Sequence, residues 1–141
     1  MKMAGLSERY TFETRHRIPE QWQRFGPMIG EIPNRIGQDL FGVVSIAERG
    51  FDYLTGVFVS DFTGLPAHFA RISVPERRYA VFKHRGPVST VTETFDAIWH
   101  RWLPSSGFKL DGVPQITEVY GKSFDAKTGL GGFEIWIATK A

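Results

Sequence analysis

Apolar and polar positions alternate through several short stretches of this 141-residue chain, and in two places the period lengthens to that of a helix. Residues 2–11, ending in Tyr10-Thr11, read as a first strand. Ile18-Pro19-Glu20-Gln21-Trp22 reads as a helix entry, because proline is tolerated in a first turn, and Trp22, Phe25, Ile29 and Ile32 continue near helical spacing. Gly26-Pro27 predicts a kink or a restart, and Pro33-Asn34 with Gly37 predicts the close. Phe41–Ile46 and Phe51–Val59 are expected as strands of a hairpin turning at Glu48-Arg49-Gly50. A small-residue loop from Ser60 to Pro66 leads to a second half. There Tyr79–His84 predicts a strand. Arg85-Gly86-Pro87 then opens a helix with Val88, Val91, Phe95, Ile98 and Trp102 on one face, ended by Pro104 and Gly107. Ile116–Tyr120 and the run from Phe133 to Ala138 are the last two strands.

Each half thus reads strand, helix, strand, strand. The expected fold is α+β: one domain over residues 1–141, made of two βαββ units with antiparallel sheets and two main helices. The repeats span about 1–62 and 66–141 and leave a ligand cleft at a pseudo-twofold axis. Gly50-Phe51-Asp52-Tyr53 echoes Gly132-Phe133-Glu134-Ile135 at the start of the fourth element of each half. Leu54 stands where Trp136 does, so an acidic–aromatic face belongs to the second half.

Side chains alternate across a strand, so Phe133, Ile135 and Ile137 point one way and Glu134 and Trp136 the other. In the preceding strand Glu118 and Tyr120 share one parity, Thr117 and Val119 the other. If the two strands pair through the loop from Gly121 to Gly132, one face presents Glu118, Tyr120, Glu134 and Trp136 together. Two acids and two aromatics suit an aromatic cation through charge and cation–π attraction. Carboxylates crowded in an apolar site also suit proton chemistry. The same pattern fits a face that is simply half solvated.

Composition narrows the function classes. A formal net charge of +2 with scattered basic residues argues against direct nucleic-acid binding. There is no cysteine, hence no disulfide or thiolate nucleophile, and no apolar run approaches ~18 residues, so no membrane span is expected and the chain is placed in the cytoplasm. His16, His68, His84 and His100 show no metal-ligand spacing, and no metal or cofactor is expected. His84 is expected to pack or cap where strand meets helix. Gly129-Leu130-Gly131-Gly132 precedes a strand rather than a helix and so shapes a loop, not a phosphate cradle. No Gly-x-Ser-x-Gly elbow exists. Aromatic residues make up 14% of the chain, enough to line a pocket as well as fill a core. Trp102 reads as core, and Trp99 sits at the flank of the helical stripe, within reach of the cleft.

The run Ile72-Ser73-Val74-Pro75-Glu76-Arg77-Arg78-Tyr79-Ala80-Val81-Phe82-Lys83-His84-Arg85-Gly86 resembles the centre of GyrI-like small-molecule-binding domains, the effector-binding domains of AraC-type and MerR-type regulators. Trp99, Trp102-Leu103-Pro104, Glu118-Val119-Tyr120-Gly121, Phe124-Asp125 and Glu134-Ile135-Trp136-Ile137 continue the resemblance. Upstream, Gly5-Leu6-Ser7, Ile18-Pro19 with Trp22 and Phe25, and Gly30-Glu31-Ile32-Pro33 extend it over the whole chain. The resemblance implies a module for hydrophobic, cationic aromatic ligands held by a buried glutamate among aromatics. Glu134 occupies the family acid's motif, with Trp136 beside it. Glu118 and Tyr120 match the preceding strand, and Tyr53 and Trp99 are added as stacking surface. No helix-turn-helix is read in residues 1–141, so a standalone form is expected. Two other readings follow from the same resemblance. One is a cofactor-free hydrolase of cyclopropane-bearing aromatic electrophiles, in which Glu134 would be catalytic and activate water. The other is a protein-interaction or inhibitor module, with a protein partner or a homodimer.

Overall fold

The alternation of the first residues becomes strand β1 (Lys2–Tyr10) in a computed structural model that describes residues 1–84, 87, 90–112, 114–121, 124 and 133–140. Helix α1 (Ile18–Phe25) follows, with proline in its first turn. The kink expected at Gly26-Pro27 takes the form of a 3-10 segment, Gly26–Glu31. Strands β2 (Leu40–Ala47) and β3 (Gly50–Val59) form the first hairpin. Two short strands were not legible in the sequence. β4 (Ala70–Ser73) lies along β1, and β6 (Lys109–Leu110) extends β7's side of β8. Four and two residues are too few to show a period.

In the second half come β5 (Arg78–His84), helix α2 (Val91–Ala97), β7 (Ile116–Tyr120) and β8 (Phe133–Lys140). α2 widens into a π turn over Ile98–Trp102 and closes through α3 (Leu103–Ser106) on Gly107, in the left-handed conformation at φ 78°. The wide turn packs Trp99 as well as Trp102 against the core, where an even helical period leaves Trp99 at the flank. Pro104 falls inside the last turn rather than ending it. Arg85-Gly86, Val88, Asp125 and the glycine run 129–132 lie outside the described residues.

The strands form one antiparallel sheet in the order β4-β1-β3-β2-β7-β8-β5, symmetric about the β2–β7 pair once β4 is set aside. Both helical segments cover the same face. Phe25 of α1 packs with Ala4, Val57 and Val59, and Ile98 packs with Ile116, Ile135 and Ile137. The helix-free face curls around its own apolar row, in which Met3, Phe41, Val43, Leu54 and Val119 are buried with Ile72 and Trp136 against them. Glycine permits that curl. A Cβ on Gly5 would run into the Thr55 carbonyl and lie 2.7 Å from Gly56 Cα, so only glycine allows β1 and β3 to approach so closely. His84 ties β5 to α2, its ring nitrogens lying 2.6 Å from Thr94 Oγ1 and 2.9 Å from the Pro87 carbonyl.

Register overturns one expectation. β7 and β8 pair with Glu118 opposite Ile135 and Val119 opposite Glu134. Residues opposite each other share a face, so Glu118 and Tyr120 lie on the helix-covered side with Phe133, Ile135 and Ile137. Glu134 and Trp136 lie on the other side with Thr117 and Val119. The four residues do not form one surface.

Candidate functional site

The centre of the sheet, where the two halves join, is the pair Gly42–Glu118 across β2 and β7. A carboxylate here is costly to bury unless it is hydrogen-bonded. Glu118, 8% exposed, accepts from the Tyr53 hydroxyl, in a very short contact, and from the Tyr120 hydroxyl at 3.2 Å. Tyr53 stands on β3, with β2 between it and β7. Its ring reaches across β2 because Gly42 has no side chain: a Cβ there would lie 2.8 Å from Tyr53 Cζ and closer still to its hydroxyl and to Glu118 Oε1.

Helix α1 completes the cluster. Trp22 Nε1 donates to the Tyr53 hydroxyl at 3.2 Å, and the indole meets Tyr120 edge-on at 5.4 Å and Tyr53 at 6.5 Å. One residue earlier, Gln21 is fully buried and anchors the helix. Its Nε2 donates to the carbonyls of Leu6 (2.9 Å) and Tyr53 (3.0 Å), and its Oε1 accepts from Tyr10 (2.7 Å). Phe124 and Phe133 pack against Tyr120 as tilted rings, with centroids at 4.8 and 4.7 Å. Trp22 packs against the core clusters of both halves, as does Leu40.

Among the described residues the side-chain hydrogen bonds leading to Glu118 point one way: from the indole to Tyr53, and from Tyr53 and Tyr120 to Glu118. Burial raises the Glu118 carboxyl above its ordinary pKa, and the two tyrosine donors oppose that rise. Burial, reinforced by the neighbouring carboxylate, pushes the Tyr53 and Tyr120 hydroxyls well above the usual tyrosine range, so both remain donors. Both donate to Oε1, and no described residue donates to Oε2. Among the described residues no group of three His, Asp or Glu could hold a metal ion, and no helix is long and apolar enough to cross a membrane.

Of the residues singled out in the sequence, the structure gathers Glu118, Tyr120 and Tyr53, and places Trp99 half-buried against the core cluster that holds Tyr120. Glu134 and Trp136 stand apart, on the helix-free face. There Trp136 Nε1 donates to Glu134 Oε1 at 3.2 Å and Tyr79 lies 5.4 Å from the indole. Sequence reasoning missed Trp22 and Gly42 as members of the site. Trp22 reads only as an apolar position at helical spacing. A glycine inside the strand Phe41-Gly42-Val43-Val44 was a usable sign of close approach.

Residues 1–139 match the Cass2 family of integron-associated effector-binding proteins. The chain belongs to this family. The transcriptional regulator BrlR of Pseudomonas aeruginosa is 31% identical over 94 residues, which are 65% of this chain and 35% of BrlR, so the chain matches about a third of that regulator's length. Among solved structures, SAV2435 bound to tetraphenylphosphonium superposes with a TM-score of 0.78 at 19% identity, covering 100% of this chain and 89% of SAV2435. EcmrR, in a complex with DNA, superposes with a TM-score of 0.67 at 16% identity, covering 99% of this chain and 53% of EcmrR. The GyrI-like effector-binding fold read from the sequence therefore holds, and the chain is an effector-binding domain related to those of transcription regulators.

Proposed function

We propose that this effector-binding domain takes lipophilic organic cations, with Glu118 as counter-charge and Trp22, Tyr53 and Tyr120 as the aromatic surface. The observation that carries this reading is the direction of the hydrogen bonds. The Trp22 N–H is spent on Tyr53 and both tyrosine hydroxyls on Glu118 Oε1, and Oε2 is the acceptor left over among the described residues. Among the described residues such a site offers a ligand negative charge and ring faces but no free donor. It selects against anions and in favour of delocalised cations, for which ring contacts are worth roughly 2 kcal/mol each when water is excluded. Trp22 is half-buried where Tyr53 and Tyr120 are buried, so the ligand approaches from the Trp22 side. The cation bound by SAV2435, which shares the fold, is of this chemical class.

The test is a tryptophan-fluorescence titration with tetraphenylphosphonium and with neutral triphenylphosphine oxide. Saturable quenching by the cation is expected. Glu118→Gln should weaken it about tenfold or more, a loss of ~1.4 kcal/mol, and leave the neutral compound unchanged. Equal cation affinity in parent and Glu118→Gln would overturn the assignment.

A further inference from the structure

The two edges of the sheet are built differently. One ends in β4, four residues between Pro66 and Pro75, a short strand of the kind that blunts an edge. The other ends in β5, seven residues without proline, paired only with β8 among the described residues. At its middle Val81 is 50% exposed. Helix α2 does not close this edge. A groove of about 390 Å³ runs between them, lined by Val81, Phe82, Lys83, Ala97, Ile98 and Trp102 among others. Consecutive strand residues of both parities line it, so it lies along the backbone edge rather than over one face. An unpaired edge with an apolar centre is a template for another strand.

We infer that β5 is the surface through which two copies of this chain associate, strand against strand, antiparallel about a twofold axis at Val81. The strand is self-complementary in that register. On the helix-free face Val81 meets Val81 of the second copy, and Lys83 meets Tyr79, a cation against a ring. On the helix-covered face Phe82 meets Ala80, the largest side chain against the smallest. The two exposed cations of the strand, Arg78 and Lys83, do not oppose each other, and Lys83 is flanked within its own sheet by Glu134. Moving the axis to Ala80 would set Arg77 against Lys83 and bury Phe82 against Arg78. The charges that disfavour the Ala80-centred pairing thus leave this one open.

Sedimentation equilibrium over a wide concentration range is the first measurement. The apparent mass should rise from 16.0 kDa toward twice that value, and Val81→Lys, which puts two lysines on the axis, should hold it at 16.0 kDa with an unchanged circular dichroism spectrum. The chain has no cysteine, so a single one reports register. In antiparallel pairs facing Cα atoms lie roughly 4.5–5.5 Å apart, within disulfide range, so Val81→Cys should cross-link to itself under mild oxidation. Tyr79→Cys should not, its two copies being about 13 Å apart, but it should cross-link when mixed with Lys83→Cys. A parent that stays at 16.0 kDa at every concentration, or a Tyr79→Cys that cross-links to itself as readily as Val81→Cys, would overturn the proposal.

Discussion

Substituting Gly42 by alanine adds one methyl group at the point where the candidate site is tightest. The new Cβ would sit 2.8 Å from Tyr53 Cζ and nearer still to its hydroxyl and to Glu118 Oε1, so the Tyr53–Glu118 hydrogen bond and the methyl group cannot coexist. A hydrogen bond to a charged group contributes about 1.5–3 kcal/mol, and forcing a methyl into a packed interior costs about 1–3 kcal/mol. Replacing a strand glycine returns roughly 0.5–1 kcal/mol. The expected net loss is therefore about 2–5 kcal/mol, read as a lower urea midpoint at unchanged m-value. The diagnostic is the double variant. In Tyr53→Phe the hydroxyl is gone, so Gly42→Ala should cost at least ~1 kcal/mol less there than in the parent, the coupling expected of groups in contact. Strictly additive costs, or a Gly42→Ala loss below ~0.5 kcal/mol, would refute the argument that this glycine exists to let Tyr53 reach Glu118.

Glu118 titrates higher in the folded chain than in the unfolded one, so between the two values the folded protein holds a proton that the unfolded chain has released. Stability should therefore be fullest below the ordinary carboxylate range and fall as pH rises toward the raised folded value. A pH series of urea melts should show this fall in the parent and lose it in Glu118→Gln; a parallel fall in both would assign it elsewhere. Glu134→Gln keeps an acceptor for Trp136 on the helix-free face, so its tetraphenylphosphonium affinity should stay within about twofold of the parent. A loss as large as that of Glu118→Gln would return the binding role to Glu134. Gln21→Leu leaves the Leu6 and Tyr53 carbonyls and the Tyr10 hydroxyl without their partner, at a cost of about 3 kcal/mol or more in urea unfolding, and a loss under ~1 kcal/mol would contradict that network.

The elements were legible because their signals are local. Alternation within Phe51–Val59 and Phe133–Ala138, the proline at α1's first turn and the apolar stripe from Val91 to Trp102 each depend on neighbours a few residues away. The π turn was not legible, because one extra residue per turn leaves the apolar stripe almost unchanged while carrying Trp99 inward. β4 and β6 take their conformation from the strands they join.

The sequence by itself determined which residues of each strand face together: Glu118 with Tyr120, and Glu134 with Trp136. Parity is a property of one extended chain, set by the pleat. Which parity of β7 meets which of β8 depends on where two distant segments pair, and a slip of one residue inverts the answer. Tertiary structure decided it. Glu118 opposite Ile135 puts one acid under α1 with Tyr53 and Trp22, and Val119 opposite Glu134 sends the other to the far side of the sheet. Gly42, on the strand between them, sets how closely the tyrosine and the glutamate meet, and its partners come from two strands distant in sequence.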